Sequence, residues 1–432
     1  MNADGPYDGV RAAGHAPQPP CAADFPALTE PARARRRSGL AYLDNAATTL
    51  KPRCVLQAVE DFYAAGKGNP YRGASRESVA ATQAYERARE EVAAFVGALP
   101  GEIVFTRNAT EALNLVAYSY ALDRLHEGDE IALPVSEHHS NLVPWQFVCQ
   151  KTGARLAYLE VDAHGRLRES ELERVVGPRT KVVAFAHASN VLGTLVPVED
   201  VVRCARAVGA VTVMDCAQTA AHDPLRLGER GVDFAAFSGH KMYGPLGIGV
   251  LFVREGMRGA LSPFLYGGEM VDQVERGRTT FQEGPRRFEA GTPNAAGAVG
   301  LAAAVGYLVG QGEGEVRAAE RRLTARLLAG LASLDGVRVF GNPQAGADRL
   351  GVVSFTVAGT DPQDVASVLD EAGIAVRAGA QCAQPLHRAL GVQATCRASL
   401  GLYNGDADVD RFLEAVETAR RRITRKVMAL FP

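Results

Sequence analysis

From residue 103 onward, short apolar runs alternate with segments long enough to form helices, and this alternation limits the fold more than any other feature. The runs cover residues 103–105, 130–134, 155–160, 182–187, 211–215 and 234–238. Apolar runs separated by helical segments are typical of parallel strands that helices cover on both faces. The sequence therefore predicts an α/β fold with a mostly parallel sheet wrapped by helices.

Polar residues follow five of these runs directly, where the strands would end. Ligands bind at the carboxyl ends of the strands in such sheets. We therefore predict a binding site there, built from residues that come from separate strand ends: Ala109 with Thr110, His138, Asn190, Asp215 and Lys241.

Lys241 lies between the apolar run 232–237 and the glycine-spaced apolar run 248–253, with Ser238 and His240 just before it. A lysine that loses its hydration can deprotonate near neutral pH and condense with a carbonyl to form a Schiff base. The neighbouring hydroxyl and imidazole suit a phosphate. Alternatively, Lys241 is an ordinary loop lysine, and the residue alone does not separate the two interpretations.

Three further residues suggest one cofactor. Thr110 opens a strand-to-helix turn whose free N–H groups suit a phosphate, although helix capping explains the same pattern. Asp215 ends a buried strand and needs a cationic partner, such as a protonated pyridine nitrogen, or satisfaction by the backbone. His138 suits stacking on an aromatic ring, or is merely polar surface. Together with Lys241, these residues predict pyridoxal 5′-phosphate (PLP).

The chain is long enough for two or three domains. At about 100–200 residues per domain, its 432 residues divide into a disordered tail (1–38), a large α/β domain (39–310) and a small α+β domain (311–432). The last is predicted from helical segments at 315–334, 361–372 and 407–430 and from strands at 337–340, 351–357 and 374–377.

Composition narrows the classes of function. A formal net charge of −2 offers no basic field for nucleic acid. No apolar run reaches the roughly 18 residues that cross a bilayer, so we expect no membrane partner. Seven scattered cysteines do not form a disulfide pattern, so we expect a cytoplasmic protein. We predict no metal site.

Six motifs resemble those of one enzyme family. They lie at residues 136–145, 187–193, 215–218, 238–245, 287–294 and 396–399. They are similar to the cysteine desulfurases, in particular the group II (SUF-type) branch of the class V aminotransferase superfamily, from about residue 40 to the C-terminus. This resemblance implies PLP, the fold type I architecture and a homodimer with its active site at the subunit interface.

The resemblance also implies roles for individual residues. Lys241 would hold the cofactor aldehyde and shuttle protons, and His138 would stack on the ring and act in acid–base steps. The other implied cofactor ligands are Asp215 on the pyridine nitrogen, Gln218 on the phenolic oxygen, and Ala109, Thr110, Ser238, His240 and the partner subunit's Thr292 around the phosphate. The implied substrate ligands are Asn190, Arg377 and Arg397, with Arg397 pairing bidentately with the carboxylate.

Cys382 decides the type of reaction. A desulfurase needs a thiolate that attacks the sulfur of L-cysteine, leaving a persulfide and alanine, and such a thiol should be exposed near positive charge. Cys382 follows a predicted strand in a segment rich in glycine and alanine, with Arg377 five positions before it. Its spacing matches the family's active-site loop, and we interpret it as the nucleophile. The other six cysteines we interpret as structural or incidental.

One departure from the family leaves alternatives open. Group II sequences carry two histidines directly before this cysteine, whereas this chain has Ala380 and Gln381. The first hypothesis is a desulfurase that passes sulfur from Cys382 to a protein or small-molecule acceptor, with L-selenocysteine as a further possible substrate. The second is another class V PLP enzyme: a selenocysteine lyase, C–S lyase, epimerase or aminotransferase. The third is a non-catalytic scaffold that binds a sulfur carrier.

Overall fold

The computed structural model describes residues 19–29, 39–66, 68–346 and 348–430. Its strands are β1 (Ala41–Tyr42), β2 (Ile103–Thr106), β3 (Glu130–Pro134), β4 (Arg155–Leu159), β5 (Thr180–Ala186), β6 (Val211–Asp215), β7 (Phe234–Ser238), β8 (Gly249–Val253), β9 (Val271–Val274), β10 (Thr279–Phe281), β11 (Val337–Val339), β12 (Val352–Val357), β13 (Ile374–Ala375), β14 (Arg377–Gly379) and β15 (Thr395–Ser399). Its helices are α1 (Pro26–Thr29), α2 (Arg53–Ala64), α3 (Arg76–Val96), α4 (Ala109–Val116), α5 (Val143–Thr152), α6 (Glu169–Val175), α7 (Val198–Ala207), α8 (Leu227–Arg230), α9 (Ala295–Gly310), α10 (Glu313–Ala332), α11 (Pro362–Glu371), α12 (Gln384–Ala389) and α13 (Asp406–Leu430).

The central sheet has seven strands in the order β2-β8-β7-β6-β5-β3-β4. The run from β7 to β4 is parallel, whereas β8 is antiparallel to both of its neighbours. All six predicted runs are strands of this sheet, so the predicted fold class is confirmed.

Both faces of the central sheet are buried. In β7, Phe234 and Ala236 pack in one apolar core, while Ala235 and Phe237 pack in the core on the opposite face. Successive side chains of a strand point to opposite faces, so a strand covered on both sides is apolar throughout. The strands therefore appear in the sequence as continuous apolar runs. Covering both faces of the sheet also buries the residues at the strand ends.

A second, antiparallel sheet in the order β11-β12-β15-β14 packs against α10, α11 and α13. The parallel pair β1–β13 joins the same core, because Ala41 pairs with Ile374 and, like Leu43, is fully buried there. From their place in the chain, residues 41–43 were predicted to belong to the large domain; in the structure, Ala41 and Leu43 pack in the core of the second sheet, whereas Tyr42 packs against a core of the central sheet. A strand of two residues carries too short a pattern to show which sheet it joins.

The predicted disordered tail is also partly wrong. Residues 1–18 and 30–38 lie outside the described residues, but Pro20–Asp24 forms a 3₁₀ turn followed by α1. Phe25 is fully buried, with its ring centroid 4.6 Å from that of Tyr403 and 5.8 Å from that of Tyr307. The aromatic side chain of Phe25 anchors this segment. Because a single residue forms no repeat, the sequence of the segment shows no hydrophobic periodicity.

Among the described residues, no single helix has both the length and the apolar composition needed to cross a membrane. The pair α9 and α10, bent by 79° at their junction, meets those two criteria only when taken together.

We expect Phe25→Ala to lower the free energy of unfolding by about 3 kcal/mol, because it removes a buried aromatic ring and leaves a cavity. Denaturant unfolding followed by circular dichroism measures this change. The matched control is Leu99→Ala, which truncates a side chain that is 58% exposed and should change stability by less than about 0.5 kcal/mol. Equal midpoints for Phe25→Ala and the unmodified protein would show that the segment does not contribute to the fold.

Candidate active site

All but one of the predicted site residues line a single cavity of about 250 Å³ at the carboxyl ends of the central strands. The residues brought together are Ala109, Thr110, His138, Asn190, Asp215, Gln218, Ser238, His240, Lys241, Arg377, Cys382 and Arg397. Thr292 is the exception: it is exposed and lies outside this cavity. Their individual roles remain predictions, but their convergence defines a candidate active site.

Lys241 lies in a 3₁₀ turn that directly follows β7. Burial lowers the pKa of its amine to about 8, and the nearby Asp215 carboxylate opposes that change. The turn requires Gly239, since a Cβ there would lie 2.9 Å from Ile248 Cγ2 and 3.0 Å from its carbonyl oxygen. The fold thus supplies an amine that is partly neutral near physiological pH.

The peptide carbonyl just before Lys241 is held by donors from one segment that sequence reasoning missed. The carbonyl oxygen of His240 accepts hydrogen bonds from Thr48 Oγ1 at 3.0 Å, from both N and Oγ1 of Thr49 at 3.0 and 3.1 Å, and from Lys51 Nζ at 3.0 Å. Burial lowers the pKa of Lys51 to about 8. This segment therefore fixes the backbone that carries Lys241.

Asp215 ends β6 and is only 5% exposed. Its Oδ1 accepts a hydrogen bond from Ala217 N at 2.8 Å. Burial raises the pKa of its carboxyl group, while that hydrogen bond and the charge of Lys241 oppose the change. A cationic partner in the cavity would favour the ionised carboxylate. Close by, Gln218 Nε2 donates to Ala46 O at 3.0 Å.

His138 is a neutral imidazole in this site. Burial lowers its pKa to about 3, with the charge of Lys241 as the next cause. Its Nδ1 accepts a hydrogen bond from Ser140 N at 3.1 Å, so the ring proton belongs on Nε2. Ser140 Oγ also lies 2.7 Å from Thr110 Oγ1. The ring is thereby fixed beside the turn that was predicted to bind phosphate.

That phosphate turn is held against the sheet by close backbone packing. Ala109 N donates to Ser238 Oγ at 2.9 Å. Gly249 of β8 passes so near the turn that an added Cβ would lie 2.5 Å from Asn108 Cα. Only glycine permits this approach. The N-terminus of α4 and the end of β7 consequently face the cavity together.

Arg397, on β15, reaches the cavity from the second sheet and is almost fully buried. Its Nη1 donates to Asn190 O at 2.9 Å, and its Nη2 pairs with Asp44 Oδ1 at 3.1 Å. Burial lowers the pKa of the guanidinium group, and the charge of Asp44 opposes this. Sequence reasoning missed Asp44, whose partner lies 353 positions away.

Within the described part of the chain, three buried polar atoms of this cavity lack a hydrogen-bond partner: Asn190 Oδ1, His240 Nδ1 and Arg397 Nε. Buried polar groups are normally satisfied, so a group of unpaired atoms at one cavity indicates a ligand. An unpaired guanidinium N–H, an unpaired imidazole nitrogen and a lysine with lowered pKa together fit PLP with an amino acid beside it. The residues present therefore fit the expected cofactor.

Cys382 is exposed and follows β14 in the loop to α12. Its φ is 55° and that of Gln381 is 42°. Two consecutive non-glycine residues in the left-handed region store strain of about 1–3 kcal/mol each. The carbonyl oxygen of Cys382 accepts a hydrogen bond from His139 N at 2.7 Å. The loop therefore holds the thiol at the cavity in a conformation that its surroundings impose.

Glu137 is a further buried carboxyl group that sequence reasoning left without a role. Its two oxygens accept hydrogen bonds from Ala186 N at 2.8 Å and Asn141 Nδ2 at 2.6 Å. Burial raises its pKa to about 8. Glu137 joins the ends of β3 and β5, directly beside His138, and thereby supports one wall of the site.

Comparisons with known proteins agree with this geometry. The sequence model of the family described as aminotransferase class-V matches residues 41–412, so this class of domain covers most of the chain. A relative described as "Probable cysteine desulfurase 2", from Mycobacterium leprae, is 46% identical over 399 residues, covering 91% of this chain and 94% of the relative. A "Cysteine desulfurase" from Haloferax volcanii is 43% identical over 383 residues, covering 88% and 89%.

Solved structures give the same result. The apo cysteine desulfurase of Thermococcus onnurineus has a TM-score of 0.88 and 39% identity, covering 93% of this chain and 98% of the other. The cysteine desulfurase CsdA of Escherichia coli has a TM-score of 0.83 and 40% identity, covering 93% and 97%. The chain belongs to the aminotransferase class-V family and, within it, to the cysteine desulfurases.

The pKa of Lys241 predicts how the cofactor-free protein reacts with added PLP. Only the neutral amine condenses with an aldehyde. With a pKa near 8, the rate of condensation should rise more than about tenfold between roughly pH 6.5 and 8.5 and level off above that range. Stopped-flow absorbance measures it, with Lys241→Ala as the control that forms no cofactor band. A rate that keeps rising beyond about pH 9.5 would show an ordinary, hydrated lysine.

Proposed function

We propose that this enzyme converts L-cysteine to L-alanine and receives the sulfur on Cys382 as a persulfide, which it then passes to an acceptor. The observation that carries the proposal is that the Cys382 thiol and the buried Lys241 amine line one cavity together with Arg397. We also propose the group II (SUF-type) branch, which the motifs at residues 187–193 and 238–245 support.

The cofactor is PLP, which supplies an electron sink that weakens bonds of a bound amino acid when it occupies the site. Lys241 would bind its aldehyde, Asp215 its pyridine nitrogen and Gln218 its phenolic oxygen. Ser238 and His240 lie at the phosphate end, where Ala109 and Thr110 begin α4. The neutral imidazole of His138 suits the face of the ring.

The substrate's carboxylate would bind Arg397, which lines the cavity and whose buried Nε has no hydrogen-bond partner among the described residues. Asn190 supplies an amide beside it, and Arg377 adds a second cation at the cavity wall. L-Selenocysteine carries the same carboxylate and amine, so we propose it as a second substrate. A competition assay between the two amino acids tests this proposal.

The chain's own groups can complete the remaining steps. The amine of Lys241 exchanges a proton near pH 8, and the neutral imidazole of His138 can donate a hydrogen bond from Nε2. The thiolate of Cys382 attacks the substrate sulfur. The substrate's Cβ–S bond breaks, an S–S bond to Cys382 forms, and a proton is added to Cβ, so that alanine leaves.

The exposed side of Cys382 suits transfer of the persulfide to a protein or small-molecule acceptor.

We further propose a homodimer in which the partner subunit's Thr292 completes the phosphate site, since Thr292 of one chain is exposed outside its own cavity. Sedimentation of the wild-type protein tests the homodimer. A comparison of the PLP affinity of Thr292→Ala with that of wild type tests the role of Thr292. All seven cysteines are free thiols, which supports the proposed cytoplasmic location.

Cys382→Ala should abolish alanine formation from L-cysteine while leaving the cofactor's visible absorption band intact, because the thiol accepts the sulfur but does not bind PLP. Alanine assays with and without a thiol reductant, together with absorption spectra, measure both effects. Cys54→Ala is the matched control, since Cys54 is also an exposed free thiol but lies outside the cavity.

Two results would contradict the proposal. Full activity in Cys382→Ala would favour another class V reaction in which the thiol is dispensable. A purified protein that binds no PLP after reconstitution would favour a scaffold without catalysis.

A further inference from the structure

The loop that presents Cys382 is held by a paired contact that uses the residue where this chain departs from its family. The Gln381 side chain is 5% exposed and faces Thr395, the first residue of β15. Gln381 Nε2 donates to Thr395 O at 2.9 Å, and Thr395 Oγ1 donates to Gln381 Oε1 at 3.0 Å. One amide thus binds both the main chain and the side chain of a single residue.

The same loop is tied to the large domain through its backbone. Asn190 Nδ2 donates to Gln381 O at 2.7 Å, and His139 N donates to Cys382 O at 2.7 Å. Asn190 O in turn accepts from Arg397 on β15. Gln381 and Cys382 are therefore held from two sides. On one side the contact is with β15, and on the other it is with the ends of β3 and β5.

The anchor has a specific consequence for the thiol. Gln381 and Cys382 both have positive φ angles, which non-glycine residues rarely adopt without external support. The amide of Gln381 can both donate and accept at Thr395, and it carries no charge at any pH. A methionine of similar size would fill the space but form neither bond.

We propose that Gln381 is a positioning residue that holds Cys382 at the cavity for sulfur transfer, through its paired hydrogen bonds to Thr395. This inference rests on the proposed role of Cys382. It predicts that Gln381 governs the sulfur-transfer step and leaves substrate binding unchanged, because the groups that would bind the substrate carboxylate are not replaced.

The test compares Gln381→Met and Gln381→Glu with wild type in the PLP-loaded enzyme. Losing two hydrogen bonds should lower kcat for alanine formation about tenfold, while KM for L-cysteine changes by less than about twofold. The dissociation constant of L-alanine, followed by the cofactor's absorption, should not change. Gln381→Glu keeps an acceptor but places a carboxylate against Thr395 O, so we expect at least as large a loss of kcat.

A second measurement is independent of turnover. The rate at which iodoacetamide alkylates Cys382, followed by mass spectrometry, should rise about threefold or more in Gln381→Met, because the loop leaves its anchored position more often. Gln384→Met is the matched control: Gln384 lies two positions beyond the thiol, its side chain is exposed, and it should behave as wild type in both assays.

Several results would overturn the inference. Values of kcat and alkylation rate within about twofold of wild type would remove any positioning role. A loss of kcat accompanied by equal weakening of L-alanine binding would indicate general damage. If Gln381→Met does not fold, Thr395→Val replaces it, which removes the hydroxyl that both Gln381 Oε1 and His387 Nε2 contact. Cys382→Ala, assayed alongside, separates the two proposals: retained activity there refutes the role of the thiol, whereas an inactive Cys382→Ala with an active Gln381→Met refutes the anchor alone.

Discussion

The arrangement of the site depends on burying one amine, that of Lys241, away from water. Lys241 lies at the end of β7, in a sheet that is covered on both faces, and burial is the main cause of its lowered pKa. Hydration favours a charged ammonium group strongly, so a lysine becomes a nucleophile near neutral pH only where the fold excludes water. The turn containing Gly239 and the donors around the His240 carbonyl keep this amine in place. The other site residues are arranged around it.

The second sheet supplies the residues that we propose make the site specific for an amino acid. The large domain alone supplies a lysine, an acid and a phosphate turn, which many PLP enzymes need. Arg397 and Cys382 come from β15 and the loop after β14, and they meet the large domain through Asn190, His139 and Asp44. In the proposed function, binding a carboxylate and accepting sulfur therefore both depend on how the two sheets dock.

The central sheet and its strand-end residues could be predicted because their signals are local. The runs 211–215 and 234–238 are apolar because both faces are covered, and Asp215 and Lys241 follow them directly. The remaining features depend on contacts between distant residues. Asp44 meets Arg397 across 353 positions, Ala41 pairs with Ile374, and Phe25 packs on Tyr403. Such pairings come from tertiary packing, and no local pattern in the sequence predicts them.

In the loop at Cys382, backbone strain and hydrogen bonding oppose each other. Its two positive φ angles cost about 1–3 kcal/mol each. Four hydrogen bonds hold those two residues, and each contributes about 0.5–1.5 kcal/mol net. The two totals are similar, so the hydrogen bonds offset the strain. A near balance suits a thiol that, in the proposed function, faces the cavity to receive sulfur and then meets an acceptor outside it.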